Sequence, residues 1–252
     1  MATKTYSQEL QLIDSVQISS PQQVSIDKLG NIYITDRRGN IDKYDSLGNH
    51  QLNFSPQKLG DVTIIEAWNP LRIFLFYADF QEYELLNRFL DTPIRYRLDE
   101  ESVGFAQVGT VSNDNNIWLV DIASFELKKL DINTREIFIN MPLDLILDPD
   151  NYEINYIREY QNILFINDAR SGVLVFDNLG NYLRTIPKVD LTHFSFYLDD
   201  MYYIIDGNLA ILNIYSNEES AIALPKDYVF GLKHRNRAYL MNDKQLDIYR
   251  LR

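Results

Sequence analysis

Short runs of apolar, β-branched and aromatic residues recur along this chain, each closing on an Asp and each set between polar stretches that suit turns. Six stand out: Ile32-Tyr33-Ile34-Thr35-Asp36, Phe74-Leu75-Phe76-Tyr77-Ala78-Asp79, Ile117-Trp118-Leu119-Val120-Asp121, Leu164-Phe165-Ile166-Asn167-Asp168, Tyr203-Ile204-Ile205-Asp206 and Tyr239-Leu240-Met241-Asn242-Asp243. Successive Asp residues lie 43, 42, 47, 38 and 37 positions apart, a period close to the roughly 40–50 residues of a four-stranded propeller blade. Six such units nearly account for the 252 residues.

The order inside each unit supports the repeat independently of its spacing. In the first, Gln23-Val24-Ser25-Ile26 predicts an inner strand and Asp27-Lys28-Leu29-Gly30-Asn31 a tight turn, with Gly supplying positive φ and Asp or Asn bonding the local backbone. The apolar strand to Thr35 follows, then a short connection at Asp36-Arg37-Arg38-Gly39 and a third strand, Asn40-Ile41-Asp42-Lys43-Tyr44. A second Gly turn, Asp45-Ser46-Leu47-Gly48-Asn49, leads into an outer strand, His50-Gln51-Leu52-Asn53-Phe54. The fourth unit repeats that outer turn as Asp177-Asn178-Leu179-Gly180-Asn181. Second strands read as continuous apolar runs, as expected for strands buried on both faces, whereas third strands alternate and are expected nearer the rim.

The ends predict how the ring closes. After Asp243 only one strand remains, Gln245 to Leu251, so the sixth unit lacks an outer strand, while the strand-like segment Gln8 to Ile18 precedes the first unit. The N-terminal strand is expected to join the last blade and pair its open edge. The fold expected is therefore all-β: one six-bladed β-propeller of four-stranded antiparallel blades occupying residues 1–252 as a single domain.

Composition agrees, since 17 Tyr and 13 Phe suit pleated, half-buried surfaces. A formal net charge of -12 argues against a nucleic-acid partner, because binding phosphates depends on Lys and Arg displacing condensed counterions. The absence of Cys excludes disulfides, thiolate nucleophiles and thiolate-bound zinc. The first residues lack the apolar core of a signal peptide and no run is long enough for a membrane-spanning helix. The expected location is periplasmic or exported if a leader has been removed, and cytoplasmic otherwise.

The segment Leu29-Gly30-Asn31-Ile32-Tyr33-Ile34-Thr35-Asp36, with the two Leu-Gly-Asn outer turns, resembles six-bladed propellers of the NHL and TolB-like type. The resemblance spans the chain as a repeat and is sharp in units one and four. It implies the fold more than the function, since such propellers serve as protein scaffolds, RNA binders, lactonases and other hydrolases. The tract Asn69 to Phe80 is similar to small envelope propellers of Gram-negative bacteria. That likeness implies a place in an envelope or secretion assembly, in association with an outer-membrane protein complex.

The six repeating Asp residues occupy equivalent connections and are expected on one face. A carboxylate ring there could hold a cation or a basic partner, but Asp at such a position ordinarily caps its own turn by accepting backbone N–H bonds. In the funnel, Glu66 with Asn155 could ligate a metal, although no motif fixes them, and His50, His193 and His234 show no ligand spacing. No nucleophile elbow, phosphate loop or dinucleotide fingerprint is present. No cofactor is expected. The candidate partner-binding residues are Arg37, Arg38 and Arg170 in second-to-third-strand connections, where they could form a local basic spot. Phe80 in a turn and Asp148 and Asp150 in the inserted acidic loop complete the set. The expected function is that of a non-catalytic protein-binding or scaffolding subunit; the alternative is a metal-dependent, lactonase-like hydrolase with its site in the central funnel.

Overall fold

The computed structural model describes residues 9–57 and 60–251. The chain enters on β1 (Leu10–Gln17) and then builds successive four-stranded antiparallel sheets. The first comprises β2 (Gln23–Ile26), β3 (Ile32–Thr35), β4 (Ile41–Tyr44) and β5 (His50–Phe54). The second comprises β6 (Ile64–Glu66), β7 (Ile73–Tyr77), β8 (Glu82–Leu86) and β9 (Ile94–Arg97). The third has β10 (Ala106–Val111), β11 (Ile117–Asp121), β12 (Glu126–Leu130) and β13 (Ile137–Pro142). The fourth has β14 (Ile154–Tyr160), β15 (Ile163–Asp168), β16 (Gly172–Asp177) and β17 (Tyr182–Ile186). The fifth has β18 (Phe194–Tyr197), β19 (Asp200–Ile205), β20 (Asn208–Asn213) and β21 (Glu219–Ala223). The sixth takes β22 (Phe230–His234), β23 (Arg237–Met241) and β24 (Gln245–Leu251) from the C-terminal end and β1 as its outer strand.

That last sheet closes the ring as the sequence predicts. Leu10 pairs with Leu251 and Gln17 with Gln245, with a bulge between Leu12 and Asp14. Inner strands abut from blade to blade: β2 on β6, β6 on β10, β10 on β14, β18 on β22 and β22 on β2. Tyr160 stacked on Phe196 at 4.6 Å joins the fourth blade to the fifth.

Four Asp-x-x-Gly-Asn segments fold into the same turn. At Asp27, Asp36, Asp45 and Asp177, Oδ1 accepts the N–H groups two and four residues on, and Oδ2 accepts the Asn side-chain amide. The Gly has φ between 81° and 89° in all four, a region that Gly enters without the Cβ penalty. The connection at Asp36 is therefore the same device as the recognised Gly turns.

Burial corrects one expectation. In blade one the third strand β4 is less buried than β3, as expected, but β12 and β16 of blades three and four are nearly as buried as their second strands, and there the gradient falls only at the fourth. Lys128 and Lys129 make β12 look solvated, yet Lys128 Nζ donates to Asp121 at 2.7 Å and Lys129 Nζ to Asp114 at 2.8 Å. The Lys129 ammonium also lies 4.7 Å from the centre of the Trp118 ring. Buried charges are tolerated when paired in this way.

Antiparallel order places the second-to-third-strand and blade-to-blade connections at one end of the disc, the upper face, and the remaining connections at the lower face. The short helix α1 (Glu100–Val103) and the loop 143–153 both lie on the upper face. The loop is pinned by Leu143 and Leu147, both buried.

Candidate functional site

The inner strands line an axis that their own side chains largely fill. Arg158 on β14 reaches Glu66 on β6, with Nη1 3.5 Å from Oε2. The same oxygen accepts the Thr110 hydroxyl of β10 at 2.5 Å. Burial raises the Glu66 pKa, outweighing the pull of Arg158 and Thr110 in the other direction. His193 is buried against Tyr156, ring centres 4.8 Å apart, and meets Phe230 edge-on at 5.3 Å. Burial, with the Arg158 charge adding to it, lowers the His193 pKa to about 3, so the ring is neutral across the ordinary pH range. Ser195 donates its hydroxyl to the Gly231 carbonyl at 2.8 Å. The cavity left among Ser25, Arg158, His193 and Ser195 is about 20 Å³, room for about one water. Toward the lower face, a depression of about 100 Å³ opens beside Glu66, Trp68 and Arg72.

Glu66 and Asn155, paired on paper as metal ligands, are engaged separately. Asn155 donates to the Leu191 carbonyl at 3.0 Å and accepts the Asn167 amide at 2.6 Å. Among the described residues, no group of three or more His, Asp or Glu is arranged to hold a metal ion.

The repeating Asp residues do share the upper face, and three act as turn caps. Asp36 accepts the N–H groups of Arg38 and Asn40, Asp121 those of Phe105 and Ala123, and Asp168 those of Glu153 and Ser171. Asp121 is further held by Lys128 and Ser124. Burial raises its pKa, but these hydrogen bonds prevail and keep it below the usual carboxylate range. In the sixth blade the cap is Asn242 rather than Asp243, accepting from the N–H groups of Lys244 and Gln245.

Of the candidate contact residues, Arg37, Arg38, Asp148, Asp150 and Arg170 are exposed on the upper face, and Phe80 is half-buried there. Phe80 stacks on Tyr77 at 6.0 Å and lies over Gly60, where a Cβ would come within 2.4 Å of the ring. Packing thus accounts for much of that side chain. Arg170 meets the acidic loop, donating to Asn151 at 3.2 Å and standing 3.6 Å from Glu153. Blades one and four are diametrically opposed in a ring of six, so Arg37 and Arg38 do not join Arg170 in one local basic spot. Two buried groups went unnoticed in the sequence. Glu159 accepts from Trp118 Nε1 at 2.7 Å and from the Ser112 hydroxyl at 2.5 Å. Lys233 sits between blades five and six, and the alternation of Phe230, Leu232 and His234 around it was its one local signal.

A ring of six four-stranded sheets, closed by a blade assembled from both ends of the chain, makes this a six-bladed β-propeller. No protein-family model matches the sequence, and no curated protein matches it. Solved structures do match in shape. The chain is similar to the Cps50 (Swd1) β-propeller domain of Myceliophteria thermophila, with 11% identity, 96% of this chain and 99% of that one covered, and a TM-score of 0.68. It is similar to an inactive H270A form of virginiamycin B lyase from Staphylococcus aureus crystallised with quinupristin, with 9% identity, 96% and 100% covered, and a TM-score of 0.65. It is also similar to BamB from Moraxella catarrhalis, with 11% identity, 96% and 100% covered, and a TM-score of 0.57. At such identities the likeness establishes the fold alone.

Proposed function

We propose that this propeller is a non-catalytic protein-binding module, a subunit of a larger assembly that meets its partner through the upper face. The observation that carries the reading is the axis itself. A space of about 20 Å³, bordered by an Arg158 that is itself paired with Glu66, has no room for a lactone or similar substrate, whereas small-molecule sites usually run to several hundred Å³. The upper face supports the same reading, because it carries exposed charges of both signs on a rigid frame: Arg37 and Arg38 on blade one, and the 148–153 loop with Arg170 on blade four. Opposed charges on a fixed scaffold suit recognition by electrostatic complementarity. Structural likeness to Cps50 and BamB is compatible with this role, and an envelope or secretion assembly is the setting the sequence resemblance suggests.

The test is site-specific photocrosslinking in the native cells, with the reactive group placed in turn at Arg38, Asp150 and Arg170, and at Leu179 on the lower face. Crosslinks to one defined protein from the upper positions, at least about tenfold above the Leu179 background, are expected for a contact face of standard size. Equal yields from both faces, or turnover of a lactone by the purified chain, would overturn the proposal.

A further inference from the structure

The inner strand of the sixth blade points alternate side chains to opposite neighbours. Phe230 and Leu232 pack toward blade one with Val24 and Ile26, whereas a Cβ at Gly231 would meet Leu209 and Ile204 of blade five. Lys233 shares the orientation of Gly231, and its ammonium stands 5.0 Å from the centre of the Tyr197 ring. Only 7% of the residue is exposed. Buried Lys128 and Lys129 each have a carboxylate within 2.8 Å. The Lys233 ammonium, by contrast, makes no hydrogen bond or ion pair among the described residues.

Its amine looks into a cleft of about 800 Å³ where blade five meets the closing blade on the lower face, within the range of small-molecule sites. The walls carry Tyr197, Ile211 and Leu251 as an apolar surface, and Arg235 stands exposed at the mouth. The cleft's acceptors are largely committed. Asp200 receives the Asn213 amide at 3.1 Å, and Glu219 receives the Tyr203 hydroxyl and the Lys188 amine, each at 2.7 Å. Glu218 faces solvent on the rim. Unmet donors over an apolar wall call for an anion with an apolar body. The nearby Asp200, Glu218 and Glu219 disfavour a dianion such as phosphate, leaving a monocarboxylate as the best complement.

We infer that the cleft between the fifth and sixth blades binds a small monocarboxylate, its carboxyl group on Lys233 and Arg235 and its apolar body against Tyr197 and Ile211. This site lies on the opposite face from the proposed protein contact and stands or falls separately. Burial lowers the Lys233 amine to about 8, with Asp200 pulling the other way. The groups facing it are Tyr197 from β18, Asp200 and Tyr202 from β19, Glu218 and Glu219 at β21, and Arg235 in its own turn. A bound carboxylate favours the ammonium, so binding above neutral pH takes up a proton.

The experiment titrates the full chain with benzoate, with uncharged benzamide and with inorganic phosphate, followed by amide chemical shifts and by calorimetry. Benzoate is expected to bind at least about tenfold more tightly than either control, because a charge-assisted hydrogen bond to a desolvated amine is among the strong ones. Shifts should centre on β18, β19 and β22. Heats at about pH 8.5 in two buffers of different ionisation enthalpy should show proton uptake. Lys233→Met should weaken benzoate at least about tenfold. Arg235→Gln, at an exposed turn, should weaken it about threefold with an unchanged melting temperature, so the test does not depend on the buried variant folding. Equal binding of benzoate and benzamide, shifts centred elsewhere, or no proton uptake would each refute the assignment.

Discussion

Arg158 of the fourth blade and Glu66 of the second stand 3.5 Å apart on the ring axis, and Thr110 of the third blade donates to the same Glu66 oxygen. One carboxylate thus ties three consecutive blades at their innermost strands. Other polar contacts cross the seams, such as Trp118 to Glu159 and Ser195 to the Gly231 carbonyl, but this one joins three inner strands through a single carboxylate.

Arg158→Met should therefore destabilise the fold by about 3–5 kcal/mol, because it leaves a buried carboxylate without its counter-charge. The double replacement of Glu66 and Arg158 by Met should recover much of that loss, since removing both partners leaves no stranded charge. The pH dependence has a definite sign. Glu66 binds its proton more readily folded than unfolded, so its contribution favours folding at low pH and diminishes as pH rises through the folded pKa. Without Arg158 that pKa rises further, so the variant's deficit should be smaller near pH 4.5 than near pH 7.5. Urea unfolding at the two pH values checks this, and a deficit independent of pH would rule the account out.

The ring closure depends on a second buried carboxylate. Asp247 on β24 accepts the Ser15 hydroxyl of β1, the Tyr228 hydroxyl at 2.6 Å and the Lys226 amine at 2.9 Å. Burial raises its pKa, but those three donors outweigh it and hold the group below the usual carboxylate range. Asp247→Asn should cost about 1–3 kcal/mol at neutral pH, as donors arranged around a carboxylate lose their charged acceptor. A depressed pKa contributes stability that is present above the unfolded value and lost as pH falls through the folded one. The gap between wild type and variant should thus be full at pH 7 and close below about pH 4. Thermal melts across that range measure it, and a constant gap would show that the carboxylate charge plays no part.

The repeat was legible because a strand's neighbours in sequence are also its neighbours in the sheet. Ile32 to Thr35 and Ile163 to Asp168 each pair with the strands just before and after them. Asp27, Asp45 and Asp177 could be read as turn formers because the partner Gly and Asn stand within four residues. The closing strand was legible by subtraction, since the last unit was one strand short. What sequence left open is what depends on side-chain contacts that nothing local announces. Lys129 looks solvated until Asp114 and Trp118 are seen beside it, and Phe80 looks free until Gly60 brings the backbone beneath its ring. Glu66 invited a metal because nothing near it in sequence announces Arg158 or Thr110. The same holds for the basic spot expected of Arg37, Arg38 and Arg170, since turns of equivalent sequence can lie on opposite sides of a ring.

Two glycines separate backbone strain from packing. Gly207 has φ +71° with nothing within 4 Å of an added Cβ, while Gly30 has φ +89° and an added Cβ would stand 2.6 Å from Nδ1 of His234. Gly207→Ala should cost about 1–2 kcal/mol, the penalty of holding a non-glycine residue in the left-handed region. Gly30→Ala bears the same backbone penalty and in addition must move a His234 ring that is only 9% exposed and edge-on to Tyr197 at 5.7 Å. Displacing a ring in a packed seam adds about 1–3 kcal/mol. The seam between blades six and one should loosen with it, so hydrogen exchange at Leu232 and Ile26 should quicken in Gly30→Ala and stay unchanged in Gly207→Ala. Equal losses in the two variants, with equal exchange, would mean that His234 moves aside freely and that the turn alone sets the requirement for glycine.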